Sequence, residues 1–205
     1  MPICVIFGAG SELPDKIVLP EGEKYIIAAD GGLKTLEKLG IKPDHVVGDL
    51  DSLTDEIPSD DIFTRLPHVK DTTDTYEAVR IGQSHGCTEF HIYGGTGGRA
   101  DHTLANIQLA AMLSKTDNKA YIYGNNYIIT AVTNGKLSLT RKESGFVSVF
   151  AHSDICSGVT IKGLMYETDN VVLKNDFALG VSNEFVGKEA EISVTNGTLC
   201  VYYEI

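Results

Sequence analysis

Basic residues are scarce in this chain. Its 205 residues carry 17 Lys and Arg against 28 Asp and Glu, a formal net charge of -11. General nucleic-acid binders and proteins that coat anionic membranes need a basic footprint, so the charge balance argues against both classes. A phosphate ligand is not, because a bound cation reverses the local sign. Cysteine is sparse as well: Cys4, Cys87, Cys156 and Cys200 include no C-x-x-C pair, which argues against zinc and dithiol redox sites. The four read as small buried hydrophobes in a reducing compartment. No basic leader precedes Glu12 and Asp15, and no apolar run approaches the ~20 residues that span a bilayer. The expected location is the cytoplasm. Two phosphate-loop fingerprints are missing too, since the glycines at 94–98 form neither G-x-G-x-x-G nor a Gly-Lys-Ser/Thr loop.

What remains is an ordinary globular composition, 42% hydrophobic, over a length that holds one large domain or two modest ones. Residues 3–7, 25–29, 46–47, 63–66, 89–93 and 119–123 read as short strands, several of them closed by glycine or aspartate. Leucines spaced by three and a glycine stop predict a helix over 33–39. Thr73 or Asp74 caps another over 75–85, ended by Gly86. Asp101 opens a third, with Leu104, Ile107, Gln108 and Ala111 on one face. Strand, loop and helix in repetition predict an α/β N-terminal domain with a mainly parallel, Rossmann-like sheet, over residues 1–128. From 129 to 205 short β-type runs replace the helices, at 136–140, 146–151, 159–162, 171–173, 189–195 and 198–203. Asn134-Gly135 and Asn196-Gly197 are hairpin signals. This half is expected to be an all-β sandwich C-terminal domain, whose edges and limited core favour pairing with a second copy.

The candidate chemistry lies just after the expected strands. Val46-Val47-Gly48-Asp49-Leu50-Asp51-Ser52 ends an apolar pair in two acids. If the chain is still extended there, Asp49 and Asp51 point to one side. Close carboxylates persist with a shared cation or a retained proton. A hard cation such as Mg2+ keeps waters that leave room for substrate phosphates. Asp30, Asp71, Asp74 and the segment from Gly94 to Asp101 follow other strands in the same way, and ligands of α/β sheets bind beyond the carboxyl ends of the strands. Any single acid is better explained as a turn or helix cap. Their repeated position points to one Mg2+-phosphate site. Glycines at 94–98 let backbone N–H groups approach an anion, and Arg99 offers a forked contact at a helix start. Lys70 beside Asp71 is a surface ion pair or a phosphate contact. Asp101 is a cap, a functional carboxylate or both, and His102 reads as a structural hydrogen-bonder rather than a base.

At this point a family becomes recognisable. Asp30-Gly31-Gly32, Pro43-Asp44, Gly48-Asp49-Leu50-Asp51-Ser52, Lys70-Asp71-x-Thr73-Asp74 and Gly97-Gly98-Arg99-x-Asp101-His102-x-Leu104-x-Asn106, in that order, resemble the thiamine pyrophosphokinases. Gly180-Val181-Ser182-Asn183 is similar to the family's thiamine-binding segment, and Asn196-Gly197 to its final hairpin. Each piece is weak alone; the combination is specific and covers nearly the whole chain. The resemblance implies a homodimer, with ATP and Mg2+ on the N-terminal half and thiamine at the subunit interface. The β,γ-pyrophosphoryl group of ATP would pass to the thiamine hydroxyl, releasing AMP. It implies Asp49, Asp51 and Asp74 as metal ligands, with Asp71, Asp74, Arg99 and Asp101 as catalytic residues. Asp30, Gly31, Lys70, Thr73, Gly97, Gly98, Arg99, His102 and Asn106 would bind ATP or order its site, and Ser182 and Asn183 would contact thiamine. Asp71 and Asp101 are both candidates to accept the hydroxyl proton. Two positions depart from the family pattern: Leu50 stands where Phe is common, and Tyr76 where Glu is frequent, with Glu77 one residue later. Any role of that Glu does not carry over.

Two other classes compete. A Mg2+-dependent phosphohydrolase would use Asp49 as nucleophile, but Asp-Leu-Asp follows neither the first strand nor the usual downstream Lys pattern. A non-enzymatic binding module built on the β half gives no reason for acids to gather in the other half.

Overall fold

The structure, a computed structural model, describes residues 1–49, 62–67 and 71–205. Its strands are β1 (Ile3–Phe7), β2 (Lys24–Ala29), β3 (His45–Gly48), β4 (Phe63–Arg65), β5 (Glu89–Tyr93), β6 (Lys119–Tyr123) and β7 (Tyr127–Thr133). They continue with β8 (Lys136–Lys142), β9 (Phe146–Ala151), β10 (Ile155–Lys162), β11 (Thr168–Lys174), β12 (Gly180–Glu184), β13 (Lys188–Ser193) and β14 (Thr198–Glu204). The helices are α1 (Gly32–Leu39), α2 (Asp74–Ser84) and α3 (Ala100–Ser114). Among the described residues no helix is long and apolar enough to cross a membrane.

One compact unit comprises Met1–Asn106 and Ala120–Asn125. Here β1 pairs in parallel with β2 and β5, β2 with β3, and β3 with β4. At the centre of the sheet β1 is covered on both faces, with Cys4, Val5, Ile6 and Phe7 all buried. Val5, Phe7, Ala28, Val46 and Tyr93 form a buried cluster with Leu33 and Leu36 of α1. Gly40 stops α1 in the left-handed conformation (φ 66). The Thr73 hydroxyl caps α2 by accepting from the Tyr76 amide at 3.2 Å.

The Rossmann-like, mainly parallel sheet expected from the sequence is not what forms. The larger sheet has ten strands in the order β12-β9-β14-β7-β6-β5-β1-β2-β3-β4 and is mixed. With three helices among the described residues, the protein is mostly β. An apolar run looks alike whether its neighbour is parallel or antiparallel, so nothing in the sequence marks where the parallel pairing gives way. The third helix also departs from its expected face. Asn106, Leu109, Ala110, Ala111 and Leu113 are buried, while Leu104 is 63% exposed and Gln108 is exposed. That helix is apolar on more than one side, so periodicity alone does not select the buried face.

The other unit comprises Ile107–Lys119 and Asn126–Ile205. β14 pairs antiparallel with β7 and β9, and β9 with β12. A second, antiparallel sheet runs β11-β10-β13-β8. Val147, Val149, Leu199 and Val201 of the first set and Leu139, Val159, Ile161 and Ile192 of the second share one core, as in a sandwich. Neither Asn-Gly pair makes a hairpin. Asn134-Gly135 joins β7 to β8, and Asn196-Gly197 joins β13 to β14, each crossing from one sheet to the other. The two corners are bonded together: the Gly197 amide donates to Asn134 Oδ1 at 2.9 Å, and the Asn134 amide to the Gly197 carbonyl at 3.1 Å.

A pH effect on stability arises in the first unit. His91 on β5 is 7% exposed. Its Nδ1 lies 2.8 Å from the Tyr123 hydroxyl and its Nε2 2.9 Å from Glu89 Oε1, so a neutral ring protonated at Nε2 satisfies both. Burial lowers its pKa, and Glu89 opposes the shift in part. The unfolded chain therefore takes up this proton more readily. The contribution of His91 is fully present above an unfolded pKa of about 6.5 and falls as pH drops through that value toward the lower folded pKa. Between pH 8 and pH 5 the Tm of the wild type is expected to fall more steeply than that of His91→Gln; parallel curves would remove His91 as a cause.

Candidate active site

Four loops of the first unit meet at the carboxyl end of its parallel strands, in sheet order. After β5 come residues 94–99, after β1 residues 8–12, after β2 Asp30 and Gly31, and after β3 Asp49. The Gly8 amide donates to the Tyr93 carbonyl at 2.8 Å, and the Gly10 amide to the Gly94 carbonyl at 2.8 Å. A Cβ on Gly31 would stand 3.2 Å from the Ala9 Cβ, and one on Gly48 3.3 Å from the Asp30 Cα. The Asp30 amide donates to the Val47 carbonyl at 2.8 Å. Asp30 itself is left-handed (φ 50), a conformation that Asp tolerates better than most residues and that recurs at functional sites. Asp30 and Asp49 are half-buried, on the ends of neighbouring strands.

Helix α2 packs on β1, β2 and β3. Its first turn places half-buried Asp74 next to the Thr73 cap, with Asp71 exposed just before it. Glu77 is engaged by the Thr72 hydroxyl at 2.7 Å and by Arg80 at 3.4 Å. Asp51 and Lys70 lie outside the described residues. Among the described residues no group of three or more His, Cys, Asp or Glu side chains is placed to hold a metal.

At the start of α3, Arg99 and Asp101 form a two-point pair. Nε donates to Oδ1 at 3.1 Å and an Nη donates to Oδ2. The His102 amide also donates to Oδ1, at 3.1 Å. Hydrogen bonds from Arg99, its charge and the His102 amide hold the Asp101 carboxyl down at about 2. The pair is exposed, so its value is orientation: two donors fix the guanidinium plane and leave the other guanidinium donors for an anion. The His102 side chain is exposed. Asn106 is 5% exposed, and its Nδ2 donates to the Gly95 carbonyl at 2.8 Å. It therefore anchors the glycine loop, with Gly97 and Gly98 just beyond at positive φ (81 and 70). A helical Asn aimed back at a preceding glycine loop has no distinct sequence signal.

Ser182 and Asn183 lie on β12 in the second unit. Ser182 is exposed and left-handed (φ 59), and its amide donates to Ser148 Oγ at 3.1 Å. Asn183 is 5% exposed. Its Oδ1 accepts from the Tyr166 and Glu184 amides, both at 2.9 Å, and its Nδ2 donates to the Tyr166 carbonyl at 2.7 Å. Asn183 thus braces the backbone that displays Ser182 and Tyr166. Tyr166 was not among the expected site residues, and it is 62% exposed. The hollow beside this segment measures about 90 Å³ and is lined by Tyr166, Thr168, Leu179, Val181 and Asn183 among others.

Two family models match this chain. The family model "Thiamin pyrophosphokinase, catalytic domain" matches residues 18–122. "Thiamin pyrophosphokinase, vitamin B1 binding domain" matches residues 136–199. A thiamine pyrophosphokinase of Bacillus subtilis (strain 168) is 29% identical over 199 residues, covering 94% of this chain and 92% of that protein. The crystal structure of thiamine pyrophosphokinase from Bacillus subtilis superposes with a TM-score of 0.88 at 27% identity, covering 100% of this chain and 99% of the other. That of thiamin pyrophosphokinase from Geobacillus thermodenitrificans superposes at 0.83 with 24% identity, covering 100% and 98%.

Proposed function

This chain belongs to the thiamin pyrophosphokinase family, and from that premise we propose that it transfers the β,γ-pyrophosphoryl group of ATP to the hydroxyl of thiamine, releasing AMP. The observation that carries this reading is the meeting of the loops after β5, β1, β2 and β3, which puts acids and a glycine loop leading to Arg99 at one end of the sheet. A transferred pyrophosphoryl group carries several negative charges, so alignment and charge stabilisation supply most of the catalysis.

Mg2+ fits the donor set chemically, since Asp49, Asp51 and Asp74 offer carboxylate oxygens only. These three would hold it, and it would neutralise charge on the phosphates. Arg99, its plane set by Asp101, meets phosphate oxygens with its remaining donors, and Asn106 keeps the glycine loop in place. Asp101 is a poor proton acceptor because Arg99 stabilises its ionised form. Asp71 is the better choice of base. Asp101→Asn is therefore expected to raise KM for ATP with kcat little changed, whereas Asp71→Asn loses kcat. A large loss of kcat in Asp101→Asn with KM for ATP unchanged would return Asp101 to the role of base.

Thiamine, a cation, meets Ser182 and the Tyr166 ring. The hollow of about 90 Å³ there is far below the roughly 300–1,000 Å³ of enclosed ligand pockets. A homodimer supplies the missing walls from a second copy. Four free, buried cysteines suit a cytoplasmic protein.

The test is AMP formation from ATP and Mg2+, with and without thiamine. AMP appearing in step with thiamine diphosphate, and only with thiamine present, is the expected result. Phosphate released without thiamine would replace this reading with a hydrolase.

A further inference from the structure

The loop after β1 carries none of the residues assigned above to ligands, yet it is built against the glycine loop that does. Beyond the strand ends β1 and β5 do not diverge. The amides of Gly8, Gly10 and Glu12 donate in turn to the carbonyls of Tyr93 (2.8 Å), Gly94 (2.8 Å) and Thr96 (3.2 Å). At its glycine positions the seam has no room for side chains. A Cβ on Gly8 would stand 2.8 Å from the Gly94 carbonyl oxygen. One on Gly10 would overlap the Thr96 carbonyl oxygen and stand 2.5 Å from that of Gly94. From the other side, a Cβ on Gly94 would stand 2.5 Å from the Gly8 carbonyl oxygen, and one on Gly97 2.7 Å from the Glu12 amide and from Ser11 Oγ. Real Cβ contacts do not come this close, so positions 8, 10, 94 and 97 admit only glycine in this pairing. On its other flank the 94–98 loop is pinned by buried Asn106 through Gly95.

We infer that residues 8–12 are a positioning element for the nucleotide site: they clasp the 94–98 loop, and with it the place from which Arg99 reaches the phosphates, with Gly10 as the determinant. This inference deepens the proposed reaction and rests on it for the identity of the ligand. The first glycine loop then serves not to touch phosphate but to let the second be held without slack. A site whose donors are fixed before the ligand arrives loses affinity when its backbone shifts by a fraction of an ångström.

Gly8→Ala and Gly10→Ala test this, with Gly82→Ala as the control for a purely structural cost. Gly82 lies in α2, where a Cβ would press to 2.6 Å from Cys4 Sγ, away from the seam. All three variants are expected to lower Tm. Calorimetry with ATP and Mg2+ is expected to show Kd raised about 10- to 100-fold in Gly10→Ala and less in Gly8→Ala, with wild-type Kd in Gly82→Ala. KM for ATP should follow the same order while KM for thiamine stays put. If Gly10→Ala does not fold, Gly8→Ala, with the milder approach, carries the test. Wild-type ATP affinity in Gly8→Ala and Gly10→Ala, with only Tm lowered, overturns the inference, and so does an equal loss of affinity in Gly82→Ala. If the wild type binds ATP but makes no AMP, the proposed transfer fails, while weaker ATP binding in the seam variants still supports the clasp.

Discussion

Asp49→Asn is expected to lower kcat for thiamine diphosphate formation about 100- to 1,000-fold, with Tm close to that of the wild type. The side chain keeps its shape and loses its charge at the end of β3, beside the end of β2 that carries Asp30. Asp49 is half-buried rather than part of the packed core, so the substitution leaves no cavity. In the proposed reaction it would remove one anionic oxygen donor from the Mg2+ that would neutralise the negative charge of the transferring group. The Mg2+ concentration giving half-maximal rate should rise as well, which separates loss of metal affinity from loss of a proton acceptor. Asp51→Asn is expected to behave alike, although Asp51 lies outside the described residues. Full activity in Asp49→Asn at low Mg2+ would move the metal centre elsewhere.

The second large effect belongs to Asn183. Three hydrogen bonds tie its buried amide to the Tyr166 and Glu184 backbone. Asn183→Ala strands the Tyr166 amide and carbonyl, at a cost of about 3 kcal/mol, or roughly 6–12 °C in Tm for a chain of this size. The strand that holds Ser182 left-handed loses its brace, so KM for thiamine should rise by about tenfold or more while KM for ATP does not change. Asn183→Asp keeps the acceptor and loses the donor, so it should fall short of wild type in the same direction. A lowered Tm with an unaltered KM for thiamine would leave Asn183 a fold residue and take Ser182 out of the site.

Some of this was legible in the residues. The helix expected over 75–85 is found at Asp74–Ser84, and the strand expected over 146–151 at Phe146–Ala151. Capping by Thr73 and the glycine stop of α1 follow from rules of one turn. Two strands, Tyr127–Thr133 and Gly180–Glu184, are not among the strands expected from the sequence, and the second stands there only as a segment similar to the family's thiamine-binding one. In the latter, buried and exposed residues do not alternate cleanly, and the pairing of β12 with β9 shifts register between Gly180 and Asn183, so period two is broken. The candidate acids were found by their position after apolar runs, a signal that survives without knowing the strand order. The pairing of Arg99 with Asp101 and the bracing role of Asn183 left no trace in composition or spacing.

By itself the sequence determined the local elements, the order of the loops that carry acids and glycines, and the family to which the chain belongs. These rest on side-chain period, capping chemistry and motif order, all of which act within a few residues of the chain. Tertiary structure decided what those elements join. It placed parallel and antiparallel strands in one ten-stranded order instead of a Rossmann-like sheet, and it turned both Asn-Gly signals into corners between sheets. It also set Gly8 and Gly10 against residues 94–97. Each is a choice of partner between residues far apart in sequence. An apolar run or a glycine states that it can be approached closely, and only the packed chain states by what.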